Sequence, residues 1–370
     1  DAPATYTATF LIEDEIVVDT SPAGLQLVVG GVTATAPYAF YCPRGASRTV
    51  EASSPQGTGG VRYTFASWSD GGARNHTIGC FAPANLTAAF GTEFQITLAT
   101  FPVGLDVLLN GTTVTTPQSF WWPIGSAHGL DATTPQGTGG TRDVFLSWSD
   151  SGPRAHSVTA TEPTSLTASF QVQYQLSVST SRGAAFCDVV GCWYDAGGTA
   201  TFAVDSTIVG GTPGTRYRFT GWAGDSTSTY SPGAILMNGP KSVTAEWQTE
   251  YLLTVESSYG TPTGGGWYAV DSTATASVES TASANGTTYR FAGWTGDATS
   301  ASASFGVTMD GPKTVRATWE SAPPPAPSNA FGEFLPWIAI LAVVLVLIVL
   351  FLWRRRRKEG DETPTLSPPT

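Results

Sequence analysis

The chain has 370 residues, only 13% of them charged, with 41 glycines, 25 prolines and a net charge of −11. Such a turn-dense, charge-poor composition points to an all-β protein, and its acidity excludes the basic surface that a nucleic-acid partner requires. The charge is unevenly placed: residues 1–334 hold 13 basic against 26 acidic groups, whereas 354–370 hold 5 against 3.

In chain order, residues 1–10 read as an ending. Thr5-Tyr6-Thr-Ala-Thr-Phe10 has the pattern of Asn85-Leu-Thr-Ala-Ala-Phe90 and Ser165-Leu-Thr-Ala-Ser-Phe170 further on. The segment is therefore expected to be the closing strand of a preceding repeat, with more protein upstream of Asp1.

One motif then recurs four times, as Phe65-Ala-Ser-Trp68-Ser-Asp70, Phe145-Leu-Ser-Trp148-Ser-Asp150, Phe219-Thr-Gly-Trp222-Ala-Gly-Asp225 and Phe291-Ala-Gly-Trp294-Thr-Gly-Asp297. Its tryptophans stand 80, 74 and 72 residues apart, and a nearly fixed period marks an array of like modules rather than one large core. The repeats are placed at residues 11–91, 92–172, 173–250 and 251–321. An aromatic run flanked by Gly, Asp and Ser predicts a central strand entering a turn, with Phe65 and Trp68, and their counterparts, plugging the module core.

Repeats one and two align without a gap at an offset of 80: Ser54-Pro-Gln-Gly-Thr-Gly-Gly60 matches Thr134-Pro-Gln-Gly-Thr-Gly-Gly140, and His76 matches His156. Their openings alternate apolar and polar residues before a Gly turn, the pattern of a hairpin. Repeats three and four open on Tyr174 and Tyr251 and place Trp193-Tyr194 or Trp267-Tyr268 before a polar strand. They close on Met237-Asn-Gly-Pro-Lys241 or Met309-Asp-Gly-Pro-Lys313, where Asn-Gly and Asp-Gly predict tight turns between antiparallel strands.

Repeats three and four, with aromatic-x-Phe-x-Gly-Trp-x-Gly-Asp and a closing Thr-Ala-x-Trp strand, resemble the divergent internalin-type B repeats of bacterial and archaeal surface proteins. Repeats one and two resemble related repeats ending in Trp-Ser-Asp-Gly-Gly, and their Ser-Pro-x-Gly-Leu openings are similar to those of PEGA domains. Repeat two departs at Ser151-Gly-Pro153, which alters its turn. The resemblance implies a surface-exposed β module serving as spacer or adhesive element, with structural rather than catalytic motifs.

Cys42 and Cys80 lie in repeat one, and their counterparts in repeat two are Trp122 and Ala160; Cys187 and Cys192 lie in repeat three, and repeat four lacks both. Joint loss points to two disulfides within modules, Cys42 with Cys80 and Cys187 with Cys192, and to an oxidising compartment. A metal site is the weaker reading, because no adjacent His or Cys completes a tetrahedral set. Sequons at Asn75, Asn85, Asn110 and Asn285 are glycosylation candidates.

His76, His128 and His156 belong to no catalytic motif, and a general base needs an oriented partner that the sequence does not supply. Asp70, Asp150, Asp225 and Asp297 recur after the tryptophan, but one carboxylate per module falls short of the six to eight oxygens that calcium takes. Turn capping is the better account. The reading is a non-enzyme without cofactor or metal.

Residues 322–334 form a proline-rich spacer. Residues 335–353 carry no charge, and as a helix would be roughly 28 Å long, matching a hydrocarbon core of about 30 Å. Trp337 and Trp353 stand at its ends, and Arg354, Arg355, Arg356, Arg357 and Lys358 follow. This is a single-pass anchor in the cell membrane, in contact with lipid, with residues 354–370 cytoplasmic and the repeats extracellular.

The expected fold is thus all-β: a tandem array of four small antiparallel β modules plus one C-terminal transmembrane α-helix. Three functions remain open: a stalk displaying a distal domain, an adhesin binding a glycan or surface protein, and the anchor region of a surface enzyme lying upstream. Trp121-Trp122, Trp193-Tyr194 and Trp267-Tyr268 divide the first two, since buried rings suit a stalk and a flat exposed row suits binding.

Overall fold

The structure is a computed structural model describing residues 2–323 and 335–358. Most of the proline-rich stretch and the chain beyond 358 lie outside the described residues. It is all-β with one C-terminal apolar helix. The chain forms two compact units, Asp1–Val209 with Tyr217–Gln248, and Gly210–Arg216 with the chain from Thr249 onward.

Module one contains β1 (Glu13–Ser21), β2 (Gln26–Val29), β3 (Val32–Thr35), β4 (Tyr38–Pro43), β5 (Ser47–Ala52), β6 (Val61–Trp68), β7 (Asn75–Gly79) and the first half of β8 (Ala84–Phe101). Strand order β4-β1-β8-β6 makes one sheet and β3-β2-β5-β7 another. Ile16, Val18, Leu86, Ala88 and Trp68 from the first and Leu27, Val29, Val50 and Ile78 from the second share one core. This is a β-sandwich, and the period-2 alternation of β1, with Asp14, Ile16, Val18 and Thr20 buried, follows from one face being covered.

Module two repeats the plan with the second half of β8, then β9 (Asp106–Leu109), β10 (Thr112–Thr115), β11 (Gln118–Pro123), β12 (Ala127–Ala132), β13 (Thr141–Trp148), β14 (Ala155–Thr159) and β15 (Thr164–Thr180). Module three adds β16 (Ala185–Cys187), a 3-10 turn at Val190–Cys192, β17 (Trp193–Asp195), β18 (Thr199–Val204), β19 (Ile208–Gly210), β20 (Thr215–Gly224), β21 (Gly233–Leu236) and β22 (Lys241–Ser257). In the second unit, β22 continues into β23 (Gly266–Ala269), β24 (Thr273–Ser277), β25 (Thr281–Ala284), β26 (Thr287–Gly296), β27 (Ser304–Thr308) and β28 (Lys313–Ser321). The helix α1 spans Leu335–Lys358, so the basic run that follows the apolar stretch is itself helical.

No linker separates the modules of the first unit. The closing strand of one is the opening strand of the next, as in β8, where Ala84–Ala89 pairs parallel with β1 and Ile96–Phe101 pairs parallel with β15. The Phe90 to Phe94 connection is continuous strand.

Two expectations are corrected. The strand carrying the Phe-Trp motif is not central in modules one and two. There β6 and β13 end their sheet, whereas β20 and β26 are flanked on both sides. The added neighbours are β19 and β25; modules one and two have instead the Pro-Gln-Gly-Thr-Gly-Gly run, which makes only a single bridge, Gln56 to Tyr63 or Gln136 to Asp143, because Gly and Pro do not sustain a ladder. Residues 2–12 form no strand here, and Tyr6 and Phe10 are exposed, which does not test the closing-strand expectation. A closing strand such as Ala84–Phe90 takes its bonds from β1 and β6 of its own module, and no described residues play those parts for 2–12. The other correction concerns Asn238-Gly-Pro240, which closes no hairpin: β21 and β22 lie in different sheets, so the turn crosses between them. A residue before proline is held extended. Tight two-residue turns with both φ positive are instead found at Asn110-Gly111 and Asn285-Gly286, and at Gly30-Gly31 between β2 and β3.

Candidate functional site

The four motif tryptophans are buried, each in its own core cluster. Phe65 and Trp68 stand three apart, and strand period alone would send them to opposite faces. A bulge between Phe65 and Ser67 restores a common face, and the rings meet with centroids 6.4 Å apart. The same shift occurs at Phe145/Ser147 and Phe291/Gly293. Each indole N–H donates to a carbonyl of the following loop: Trp68 to Arg74 at 3.1 Å, Trp148 to Arg154 at 2.9 Å, Trp222 to Tyr230 and Trp294 to Ser302 at 3.1 Å.

The aspartates after them serve that loop. Asp70 accepts from the Gly72 N–H at 3.0 Å and lies 2.9 Å from His76 Nε2; Asp150 stands the same way to Gly152 and His156. Burial raises both carboxyls, but the glycine and histidine hydrogen bonds outweigh it and hold them below the usual carboxylate range. Asp225 and Asp297 instead accept from the Ser242 and Thr314 N–H at 2.7 Å, capping the closing strand. Among the described residues, no group of three or more His, Cys, Asp or Glu is placed to hold a metal ion.

Ser126, His128 and Asn110 form a chain that superficially matches a nucleophile, base and orienter. Asn110 Oδ1 accepts from the Gly129 N–H, so its Nδ2 donates to His128 Nδ1 at 3.2 Å. His128 must then carry its proton on Nε2 and donate to Ser126 Oγ at 3.0 Å, while the Ser126 hydroxyl donates to the Pro123 carbonyl. The proton runs toward the serine, the reverse of nucleophile activation. Stacking on Trp122 at 3.9 Å partly buries the ring, and that burial holds His128 below its usual pKa.

The aromatic pairs do not make an exposed row. Trp122 and Tyr194 are buried and Tyr268 half-buried. Tyr194 donates its hydroxyl to Asp188, and burial, followed by that hydrogen bond, pushes its pKa up to about 12. The outer rings of the pairs are each faced by an arginine. Arg62 lies 4.4 Å over Trp121 and donates to Glu93 at 2.6 Å; Arg142 lies 4.3 Å over Trp193 and donates to Gln173 at 2.9 Å. Within the second unit, Arg216 lies 4.5 Å over Trp267 and donates to Glu250 at 2.7 Å.

Two further contacts recur beside each arginine. Gly60, Gly140 and Gly214 take φ of +81°, +82° and +78°, and a Cβ on them would meet Pro163, Pro240 and Pro312. Their carbonyls accept from the N–H of Gln95, Gln175 and Leu252 at 2.8, 2.9 and 2.9 Å. Sequence reading missed this set, although one signal was available: Arg62, Arg142 and Arg216 share one position, which Thr288 occupies in the last module.

Cys42 is joined to Cys80, tying β4 of one sheet to the end of β7 in the other, and Cys187 to Cys192. In module two, buried Trp122 and Ala160 fill the place of the first bridge. Asn75, Asn85, Asn110 and Asn285 are all exposed. Asn75 donates to Glu51, and Asn110 is engaged with His128. Residues Trp337–Arg356 are long and apolar enough to cross a membrane; the Arg357 and Lys358 side chains lie outside the described residues.

These features define a disulfide-bearing all-β repeat protein with one apolar C-terminal helix of membrane-spanning length. The divergent InlB B-repeat domain family matches residues 190–250 and again 251–323, that is, most of module three and the whole of module four. Modules one and two lie outside the matched stretch. Curated protein sequences give no match.

Proposed function

We propose that the repeats are a non-catalytic, membrane-tethered stalk that holds a distal domain away from the cell. The observation that carries this reading is the placement of Arg62, Arg142 and Arg216 over Trp121, Trp193 and Trp267. Rings covered by cations in this way stiffen a module boundary and offer no open platform for a sugar or partner. The continuous strands β8 and β15 support the same reading. A helix of membrane-spanning length supports lipid as the partner, and the basic run Arg354 to Lys358 supports a cytoplasmic C-terminus with the repeats outside. The disulfides agree with an oxidising exterior, and there Asn85 and Asn285, exposed, are the sequons most open to glycosylation, beside Asn75 and Asn110.

The test is height above the bilayer. Deleting residues 93–172 removes one 80-residue period and keeps the strand register. An epitope near residue 2 should then move toward the membrane by up to roughly 30 Å, the width of a module of this size, as measured by energy transfer to a membrane dye. An unchanged height, or cells that lose a glycan-binding activity instead, would overturn the stalk.

A further inference from the structure

The arginine-tryptophan set between modules one and two has two halves. Module one supplies Arg62 and Gly60; module two receives them with Trp121, Glu93, the Gln95 N–H and Pro163. Counting back one period of 80 from the receiving half gives Tyr41, Glu13, Glu15 and Pro83. The equivalence holds in the fold as well, since Glu15 pairs with Tyr41 across β1 and β4 as Gln95 pairs with Trp121 across β8 and β11. Module one therefore carries a receiving half of its own, and no described residue fills it. Tyr41 is 63% exposed.

The same count places Tyr6, Ala8 and Phe10 on Leu86, Ala88 and Phe90, which turn the apolar face of β8 into the core of module one. Tyr6 and Phe10 are 94% and 88% exposed, with threonines alternating between them. An apolar stripe with strand period and no cover lies next to an unfilled receiving face, and the chain passes from one directly into the other at Glu13.

We propose that the outer end of module one is a docking face for a further module of the same 80-residue type in the same polypeptide, and that residues 4–10 are its closing strand. In this joint that module's arginine, the counterpart of Arg62, stacks on Tyr41 and pairs with Glu13. Its glycine packs on Pro83 and its carbonyl accepts from the Glu15 N–H. One feature of the face is more polar than in the later set: Asp14, paired with Arg44 at 2.9 Å, stands where module two has Phe94. Buried Asp14 already has its partner, so docking leaves no carboxylate unpaired. A second copy of the chain does not fit the face by its far end, because module four has Thr288 in place of the arginine. This inference rests on the 80-residue register and not on the stalk reading.

The experiment extends the chain with a second copy of residues 13–83 placed directly before Ala4, so that residues 4–10 take the place of 84–90 in the added module. Hydrogen exchange at Thr5–Phe10 should slow on the order of 100-fold, as for amides drawn into a stable sheet. Hydroxyl-radical labelling of Tyr6, Phe10 and Tyr41 should fall several-fold. Changing the copied arginine, Arg62→Ala, should restore labelling of Tyr41 alone. A second extension, residues 93–163 before Ala4, repeats the test with module two as donor. If neither extended chain protects residues 5–10, or if Tyr41 stays open while they are protected, the proposal fails. A dimer of the unextended chain with Tyr6 and Phe10 covered would also overturn it, making a second copy the occupant.

Discussion

Phe65 and Trp68 were legible in the sequence as core residues, but the backbone device that puts them there was not. A spacing of three contradicts the strand period, and the contradiction is resolved by a bulge that no residue type announces. Ser151 is a case where the sequence did flag a local departure. It takes φ +63° where Gly71 of module one takes +76°, and both donate their N–H to the motif tryptophan's carbonyl at 3.1 Å. A side chain in that region costs roughly 1–2 kcal/mol, less the entropy that glycine adds to the unfolded chain, about 0.5–1 kcal/mol. Ser151→Gly should therefore stabilise module two by roughly 0.5–1 kcal/mol and Gly71→Ser should destabilise module one by a similar amount, both read from hydrogen exchange of the respective cores. Tyr194 gives a pH signature. Its pKa of about 12 in the fold lies above the unfolded value of about 10, so its neutral form is the favoured one. The stabilisation is complete below about pH 10 and is lost as pH rises toward 12. Ultraviolet titration should find late-ionising phenols, since the Tyr289 hydrogen bond also raises Tyr259, and Tyr194→Phe should remove one of them. The same change removes one donor from Asp188, which keeps the Thr201 N–H at 3.3 Å, and should cost about 1 kcal/mol at neutral pH.

At the scale of elements, strands and hairpins followed from alternation and turn residues, whereas the contacts between modules did not. Arg142 and Trp193 are 51 residues apart in sequence, and neither carries a local signal that they meet. The aromatic pair was left open between a buried ring and an exposed platform, because sequence shows a ring but not its cover. The glycine beside the arginine makes the boundary testable in two grades. Arg142→Ala removes a cation over an indole and a hydrogen bond to Gln173, and should loosen the boundary by about 1 kcal/mol. Gly140→Ala is the harsher change, because its φ is +82° and the new methyl would lie 3.1 Å from Pro240. It should cost roughly 1–3 kcal/mol. In both variants the Gln175 amide, bonded to the Gly140 carbonyl, should exchange faster while amides of the module two core stay unchanged. If core amides loosen equally, the arginine and glycine support the module itself and not its boundary.

For the molecule as a whole, the most legible feature was the asymmetry of charge around one apolar stretch. An acidic body of repeats is followed by a helix, Leu335–Lys358, whose apolar part is bounded by Trp337 and Trp353 and then by arginines. Each arginine that had to cross the hydrocarbon core would cost about 2.5–3.5 kcal/mol on insertion scales, which is why the proposed orientation keeps the basic end on the side of synthesis and translocates the repeats. The disulfides agree with the proposed orientation by separate chemistry. Cys42 and Cys80 are fully buried, so their bridge is sheltered from reductant once formed, as an oxidising exterior would allow. Protease added to intact cells should therefore remove the repeats and leave a short fragment beginning near Leu335. Alkylation of the released repeats without reduction should find no free thiol. Protection of the repeats until the cells are permeabilised, together with alkylated Cys42 and Cys80, would reverse the topology on both counts.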